Sequence, residues 1–172
     1  DLLSGQNPGV FSFNPVVCEC NDSFLSDELA RPVGREHVAR AVLEARSGPV
    51  AEGCVGAGMG MSGFGYKAGI GAASRRLPEE IGPFTLGVLV LTNTGAPGEL
   101  RIDGVPVGRE LAASSEEKDT ASGSIIMCVA TDAPLSSRQL KRVAKRAGLG
   151  LARTGAVASH GSGDFVIAFS TT

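Results

Sequence analysis

The sequence changes character at residue 123, where EEKDTASG (residues 116–123) is followed directly by SIIMCVA (residues 124–130). The first segment is acidic and polar, which is typical of a linker, whereas the second has the length and apolar composition of a buried strand. Gly123 and Ser124 lie at the joint, where glycine leaves the backbone free to take an unusual conformation. We therefore expect a buried strand that begins at Ser124 and around which the rest of the chain is organised.

A chemical reaction is available at this joint. A strained peptide bond that is followed by a hydroxyl group can undergo an N-to-O acyl shift and then hydrolysis, which would make Ser124 a new N-terminus. A free α-amino group has an unperturbed pKa of roughly 7.7–8.0, so it could accept the hydroxyl proton near neutral pH without a histidine. Gly-Ser pairs are also common in loops that do no chemistry. The dipeptide alone leaves both interpretations open.

The bulk composition is that of a globular protein, with 42% hydrophobic and 20% charged residues and a formal net charge of −2 over 172 residues. There is neither a basic stripe nor an RNA-type aromatic motif, so we expect no nucleic-acid partner. The longest apolar run, residues 84–91, is too short to span a bilayer, and we expect no membrane association. Without a recognisable signal peptide the expectation is a cytoplasmic protein, with this chain as one piece of something longer.

Two patterns that often mark cofactor or metal sites lack the required context. Gly58, Gly60 and Gly63 form a G-x-G-x-x-G pattern, but no apolar-periodic helix follows, and Pro78 interrupts the region where a ribose-binding carboxylate would stand. The cysteines at positions 18, 20, 54 and 128 include no Cys-x-x-Cys pair. We therefore expect no cofactor and no metal, and thiols that are mostly buried and reduced.

Hydrophobic periodicity predicts the elements around the joint. Strands are expected at residues 16–20, 84–91, 124–130 and 165–169. An amphipathic helix is expected from about residue 35 until Gly48, and a second helix begins after Ser136 with a capping box to Gln139 and ends at Gly148. The order strand, helix, polar turn and strand after Ser124 returns residues 159–164 to the sheet edge near Ser124.

Polar side chains stand beside several of these predicted strands. Asn93 follows a buried strand and could donate a hydrogen bond into a site, while Asn21 opens the polar turn after the first strand. Ser162 and Asp164 are two residues apart, and a hydroxyl backed by a carboxylate can orient an amine. All four residues also fit ordinary turn chemistry with no catalytic role.

Taken in chain order, these stretches resemble the DmpA- and BapA-type aminopeptidases, a family also described as L-aminopeptidase/D-esterase-amidases. The similarity is carried by PVVCECND (15–22), RPV (31–33), CVGAG (54–58), GYKAGIG (65–71), VLTNT (90–94), GSII (123–126), SHGSGD (159–164) and AFST (168–171). The resemblance implies an α/β fold, a four-layer α/β/β/α sandwich of the type shared with the ornithine acetyltransferases. It also implies that residues 1–172 are a single domain within a longer family unit.

The resemblance further implies self-cleavage between Gly123 and Ser124, into an α-chain-like part (1–123) and the start of a β-chain-like part (124–172). Ser124 would be the nucleophile and, through its freed amine, its own base. Asn93 would stabilise the oxyanion of the tetrahedral intermediate, and Ser162 and Asp164 would position the amine and the leaving group. Asn21 stands where the family often has an aromatic hydroxyl, and its carboxamide would supply a substrate contact.

The implied function is that of a self-processing serine aminopeptidase or amidase, a hydrolase that works without a cofactor. Its substrates would be short peptides, amides or esters with a free amino terminus, and it would form a homo-oligomer of processed chain pairs. Two alternatives stay open. One is an acyltransferase of the same fold group, against which stands a serine rather than a threonine at the joint. The other is a non-catalytic fragment or assembly module whose glycine-rich turns serve packing.

Overall fold

The computed structural model describes residues 2–112 and 123–172, and these fall into two compact units. One unit comprises residues 2–18 together with Asp27–Pro49. The other comprises Glu19–Ser26 and the described residues of Val50–Thr172. The grouping of residues 1–172 into one domain, with parts 1–123 and 124–172, stays a prediction.

The first unit is helical. It contains helix α1 (Leu2–Gln6), a 3₁₀ helix (Glu28–Ala30) and helix α2 (Arg35–Leu43). Helix α2 has Glu44 as its C-cap and so ends before the predicted stop at Gly48. None of the residues of α2 is buried, so no packed side chain holds a further turn in place.

The second unit is built on a four-stranded sheet. Its strands, in spatial order, are β3 (Ile70–Arg76), β4 (Thr85–Asn93), β5 (Ser124–Thr131) and β6 (Gly163–Ser170). The remaining elements are β1 (Ser62–Gly63), β2 (Tyr66–Lys67), 3₁₀ helices at Gly56–Gly60 and Pro97–Glu99, α3 (Val107–Ala112) and α4 (Ser137–Arg153). The strands predicted at residues 84–91, 124–130 and 165–169 are thereby confirmed.

Strand directions bring three polar strand ends to one edge of this sheet. β4 runs antiparallel to β5, whereas β6 runs parallel to β5 and is reached through α4, because parallel neighbours need a crossover connection. The end of β4 therefore lies beside the starts of β5 and β6. The register pairs Ser124 with Asn93 on one side and with Gly163 on the other. The strand–helix–strand order predicted the second of these neighbours, since it returned residues 159–164 to Ser124.

Helix α4 packs against the sheet through the main core. The buried residues of that core are Phe64, Ile125, Met127, Leu151 and Ala156. Because Ile125 and Met127 alternate along β5, this face of the strand is the one that α4 covers. The opposite face carries Phe165 and Phe169 of β6, whose side chains are exposed.

The beginning of α4 agrees with the prediction, but its end does not. The Ser136 N–H donates to the Gln139 side-chain oxygen at 2.9 Å, as expected for a helix start. The predicted end at Gly148 is wrong, because the helix continues to Arg153 and buries Leu151, which outweighs the ~1 kcal/mol cost of an internal glycine. At 17 residues α4 is the longest described helix, and no described helix is long and apolar enough to cross a membrane.

The strand predicted at residues 16–20 is wrong. This run has no regular secondary structure, and no described strand pairs with it. A strand is stable only beside a hydrogen-bonded neighbour, and here the chain passes from one unit to the other between Cys18 and Glu19. In the second unit, Cys20 is buried and its thiol donates to the Leu91 carbonyl at 3.6 Å.

Candidate active site

The sheet edge at Ser124 presents different side chains on its two faces. Because Ser124 and Asn93 are register partners, their side chains project from the same face. Asp164 is the partner of Ile125 and therefore projects from the opposite face, which α4 covers. There Asp164 lines a cavity of about 250 Å³ together with Met127 and Leu151. Ser124 and Asp164 thus flank the same strand end from two sides.

The Ser124 hydroxyl occupies an unusual environment. It belongs to the first residue of β5, and among the residues that the structure describes its oxygen is buried without a hydrogen-bond partner. Buried polar atoms are nearly always hydrogen-bonded, and the exceptions call for an explanation such as a catalytic role. A nucleophile that has yet to meet its reaction partner is one explanation.

Gly123 is confined by the end of β4. A Cβ atom at this position would lie 2.7 Å from the Asn93 carbonyl oxygen and 2.8 Å from the Thr94 Cα, so a larger residue could not fit without a backbone shift. The Gly123 carbonyl oxygen accepts a hydrogen bond from the Gly163 N–H at 3.1 Å. The peptide bond between Gly123 and Ser124 is therefore fixed from both neighbouring strands.

The Asn93 carboxamide is held in one orientation. Its oxygen accepts a hydrogen bond from the Ser62 N–H at 3.2 Å, and since a backbone N–H can only donate, this contact places the oxygen on the Ser62 side. Its nitrogen donates to the Asn21 carbonyl at 2.7 Å. A carboxamide nitrogen carries two hydrogens, which leaves one for an acceptor on the face that Asn93 shares with Ser124.

Ser162 and Asp164 form a pair on either side of Gly163. The Ser162 hydroxyl donates to one oxygen of the Asp164 carboxylate at 2.6 Å. The other Asp164 oxygen is buried and has no hydrogen-bond partner in the described parts of the chain. The pair can therefore receive one further donor.

Asn21 lies next to Asn93, but mainly through its backbone. Its carbonyl accepts the hydrogen bond from Asn93, while its side-chain oxygen accepts from the Ser23 N–H at 3.0 Å and from the Ser23 hydroxyl at 2.6 Å. The side-chain oxygen is thus occupied in a local turn. The substrate contact expected from the Asn21 carboxamide stays a prediction.

Cys20 is a neighbour of Ser124 that the sequence analysis did not identify. Burial raises the pKa of the Cys20 thiol above its ordinary value, although the adjoining Ser124 side chain and Ile126 backbone act in the opposite direction. The thiol lies beside the Ser124 hydroxyl without meeting the geometry of a hydrogen bond. The sequence signal for this position is that Cys20 directly precedes Asn21, which the sequence analysis had placed near the site.

Lys67 has a structural role in the glycine-rich segment (residues 53–71) that the sequence analysis did not identify. Its ammonium group donates to three backbone carbonyls, those of Gly58 at 2.8 Å, Met61 at 3.0 Å and Ala68 at 2.7 Å. These contacts use the three donors of the lysine. The segment is therefore held together by Lys67 and does not present this charge to a ligand.

A serine at the first position of an internal strand, directly after a confined glycine and beside an oriented carboxamide, is the layout expected of an N-terminal nucleophile hydrolase. Comparison with known proteins specifies the family. The profile of peptidase family S58 matches residues 4–172, and the chain belongs to this family.

Two characterised relatives are β-peptidyl aminopeptidases. The BapA enzyme of Sphingosinicella microcystinivorans is 46% identical over 95% of this chain and 45% of its own length. That of Sphingosinicella xenopeptidilytica is 41% identical over 92% of this chain and 42% of its own length. The chain thus spans less than half the length of these relatives.

Solved structures are similar over most of the chain. The PH0078 protein of Pyrococcus horikoshii OT3 superposes with a TM-score of 0.87 at 51% identity, covering 98% of this chain and 47% of that protein. The L-aminopeptidase D-Ala-esterase/amidase of Ochrobactrum anthropi gives a TM-score of 0.78 at 43% identity, over 87% of this chain and 40% of that enzyme. The latter structure is described as a variant of the Ntn hydrolase fold. The predicted family and the α/β sandwich fold class are confirmed.

Proposed function

We propose that the protein to which this chain belongs is a self-processing serine aminopeptidase or amidase. The observation that carries the proposal is the buried Ser124 hydroxyl at the start of β5, which has no hydrogen-bond partner among the described residues and directly follows the confined Gly123. Membership of peptidase family S58 and similarity to aminopeptidases support it.

In the proposed mechanism, cleavage between Gly123 and Ser124 gives Ser124 a free α-amino group. This amine removes the proton from the hydroxyl of the same residue, and the hydroxyl oxygen attacks the substrate carbonyl. The ammonium that forms gives its proton to the leaving group as the scissile bond breaks, which produces the acyl-enzyme. The amine, neutral again, then accepts a proton from a water molecule that hydrolyses the ester and frees the Ser124 hydroxyl. A nucleophile and its base are thereby combined in one residue at the strand end.

Asn93 is the proposed donor to the substrate oxyanion. Its remaining N–H projects from the face that it shares with Ser124, and its orientation is set by Ser62 before any substrate binds. Donors that are oriented in advance cost no reorganisation when charge develops, and each typically contributes about a hundred- to a thousand-fold in rate. Asn21 is proposed to line the same side of the substrate.

Ser162 and Asp164 are the proposed partners of the Ser124 amine. The register places the Asp164 side chain on the opposite face of the sheet from the Ser124 hydroxyl, so its proposed role concerns the amine and not the hydroxyl. The unpartnered Asp164 oxygen supplies an acceptor for the ammonium form of this amine. A carboxylate near the amine would hold it in place and favour its protonated state during the attack.

For substrates, we propose short peptides, amides or esters with a free amino terminus. The similar proteins are named β-peptidyl aminopeptidases and an L-aminopeptidase D-Ala-esterase/amidase, which supports this class. We also propose a homo-oligomer of processed chain pairs. Light scattering after size exclusion tests this last point, because the mass of a single processed pair would contradict it.

Hydrolysis of an aminoacyl p-nitroanilide by the whole protein tests the catalytic proposal. Ser124→Ala removes the nucleophile and should abolish hydrolysis. Ser74→Ala, which changes an exposed serine on β3, is the matched control and should leave hydrolysis unchanged. Hydrolysis by the Ser124→Ala protein at the rate of the control would refute the proposal.

A further inference from the structure

We propose that the backbone N–H of Gly163 is the oxyanion donor of the self-cleavage reaction. This inference rests on the proposed function, since it concerns how the bond between Gly123 and Ser124 is broken. It assigns to β6 a catalytic group that is separate from the Ser162 and Asp164 side chains on either side of it.

The Gly123 carbonyl, which belongs to the peptide bond to be cleaved, accepts a hydrogen bond from β6. The Gly163 N–H lies 3.1 Å from the Gly123 carbonyl oxygen, which is the atom that gains negative charge when Ser124 attacks. This separation is an ordinary hydrogen-bond length to the ground-state carbonyl, and hydrogen bonds to a charged acceptor are shorter and stronger, so the contact strengthens as the oxygen becomes an oxyanion. The contact exists in the uncleaved chain, so no rearrangement is needed to form it.

The neighbouring strand prevents the carbonyl from moving away from this donor. Gly123 is pressed against the backbone of Asn93 and Thr94 on the β4 side, while Gly163 contacts its carbonyl from the β6 side. Ser124 is in register with both strands. The Gly123 carbonyl carbon, which the Ser124 hydroxyl attacks, is therefore held in place by both neighbouring strands.

Self-cleavage between Gly123 and Ser124 consumes no reactant other than water. The Ser124 hydroxyl oxygen bonds to the Gly123 carbonyl carbon, and the π electron pair of the carbonyl moves onto its oxygen, where the Gly163 N–H stabilises the charge. The carbonyl then re-forms as the bond to the Ser124 nitrogen breaks, and the hydroxyl proton passes to that nitrogen. Water hydrolyses the resulting ester and leaves a Gly123 carboxylate and a Ser124 hydroxyl with a free amine.

Asn93 is less suited to this particular step. The Gly123 carbonyl points toward β6, where the Gly163 N–H binds it, whereas Asn93 lies on the β4 side and its backbone carbonyl faces Gly123. An acceptor oxygen near the developing charge would not stabilise it. The two donors are therefore assigned to different oxyanions, Gly163 to that of self-cleavage and Asn93 to that of substrate hydrolysis.

Position 163 permits a matched pair of substitutions. A Cβ atom there would lie 3.5 Å from the Phe165 ring and 3.7 Å from the Ser124 Cβ, which is ordinary contact, and the residue does not have a positive φ. Gly163→Ala therefore retains the N–H and should be accommodated. Gly163→Pro removes the N–H, and proline is tolerated at the first residue of a strand.

The experiment follows self-cleavage of newly made protein. Whole protein carrying each substitution is produced by cell-free translation, and the cleaved fraction is measured over time by denaturing gel and mass spectrometry. Gly163→Ala keeps the N–H and so measures the effect of the added Cβ alone, and Gly163→Pro should cleave about a hundred- to a thousand-fold more slowly than Gly163→Ala. Hydroxylamine, which cleaves esters rapidly, should not rescue Gly163→Pro, because the slowed step comes before the ester.

Each outcome decides a different question. Equal cleavage rates for Gly163→Pro and Gly163→Ala would overturn the role of the Gly163 N–H while leaving the proposed function intact. Cleavage that persists in Ser124→Ala would instead overturn the proposed function itself. If circular dichroism shows Gly163→Pro to be misfolded, the peptide bond between Ser162 and Gly163 is replaced by an ester through semisynthesis. That change replaces the N–H by an oxygen and alters no side chain, and wild-type cleavage of the ester protein would refute the inference.

Discussion

Replacement of Asn93 by alanine separates a catalytic contribution from a structural one. The substitution removes the donor proposed for the substrate oxyanion, and we expect kcat to fall about a hundred- to a thousand-fold, which corresponds to about 2.7–4 kcal/mol. It also removes the hydrogen bonds of 2.7 Å to Asn21 and 3.2 Å from Ser62. At about 1 kcal/mol each, these two bonds predict a loss of about 2 kcal/mol in the free energy of unfolding.

The assay combines steady-state hydrolysis of an aminoacyl p-nitroanilide with urea unfolding, and the rate is expressed per processed chain. Ser62→Ala is the matched control. It keeps the N–H that orients Asn93 and loses only the weaker hydroxyl contact at 3.5 Å, so kcat should stay near the wild-type value. A folded Asn93→Ala protein with wild-type kcat, or an equal loss in Ser62→Ala, would contradict the assignment.

Two further predictions concern the surroundings of Ser124. Gly123→Ala should slow self-cleavage and destabilise the fold by about 1–3 kcal/mol, since its Cβ would meet backbone atoms at 2.7–2.8 Å. Gly87→Ala is the control, because the nearest atom to its Cβ would lie at 4.0 Å. Equal rates of self-cleavage in the two proteins would refute this prediction. Native iodoacetamide labelling followed by peptide mapping should modify exposed Cys54 well before buried Cys20. Because only the thiolate reacts and the pKa of Cys20 is raised, labelling of Cys20 should increase only at pH above the ordinary thiol pKa. In that pH range the Cys20 thiol ionises in the unfolded chain but not in the folded one, so the free energy of unfolding should also fall. Equal labelling of Cys20 and Cys54 at neutral pH would contradict the prediction.

Three of the four strands of the sheet, β4, β5 and β6, could be predicted from the sequence because they are apolar runs with polar ends. β3 was not predicted, because its sequence, IGAASRR, consists mostly of small and charged residues. β5 and β6 also follow from the strand–helix–strand order, which requires a parallel crossover and so brings residues 159–164 to Ser124. Local patterns could not fix the end of α4, because Gly148 signals a stop only when no buried side chain follows it. Leu151 is such a side chain.

The candidate site was predictable only in part. No local pattern relates Asn93 to Ser124 across the intervening linker, and their pairing was expected only from the family resemblance. The run at residues 16–20 has the composition of a strand, but strand formation depends on a neighbour that composition does not reveal. The Gly163 N–H is a backbone group, so residue type carried no signal of its position against Gly123.

The proposed function depends on Ser124 becoming an N-terminal nucleophile. The most direct test is the intact mass of the purified whole protein under denaturing conditions, with the N-terminal residue of each fragment identified. Two fragments are expected, one ending at Gly123 and the other beginning at Ser124. A single uncut chain from active protein, or a cut at any other bond, would contradict it.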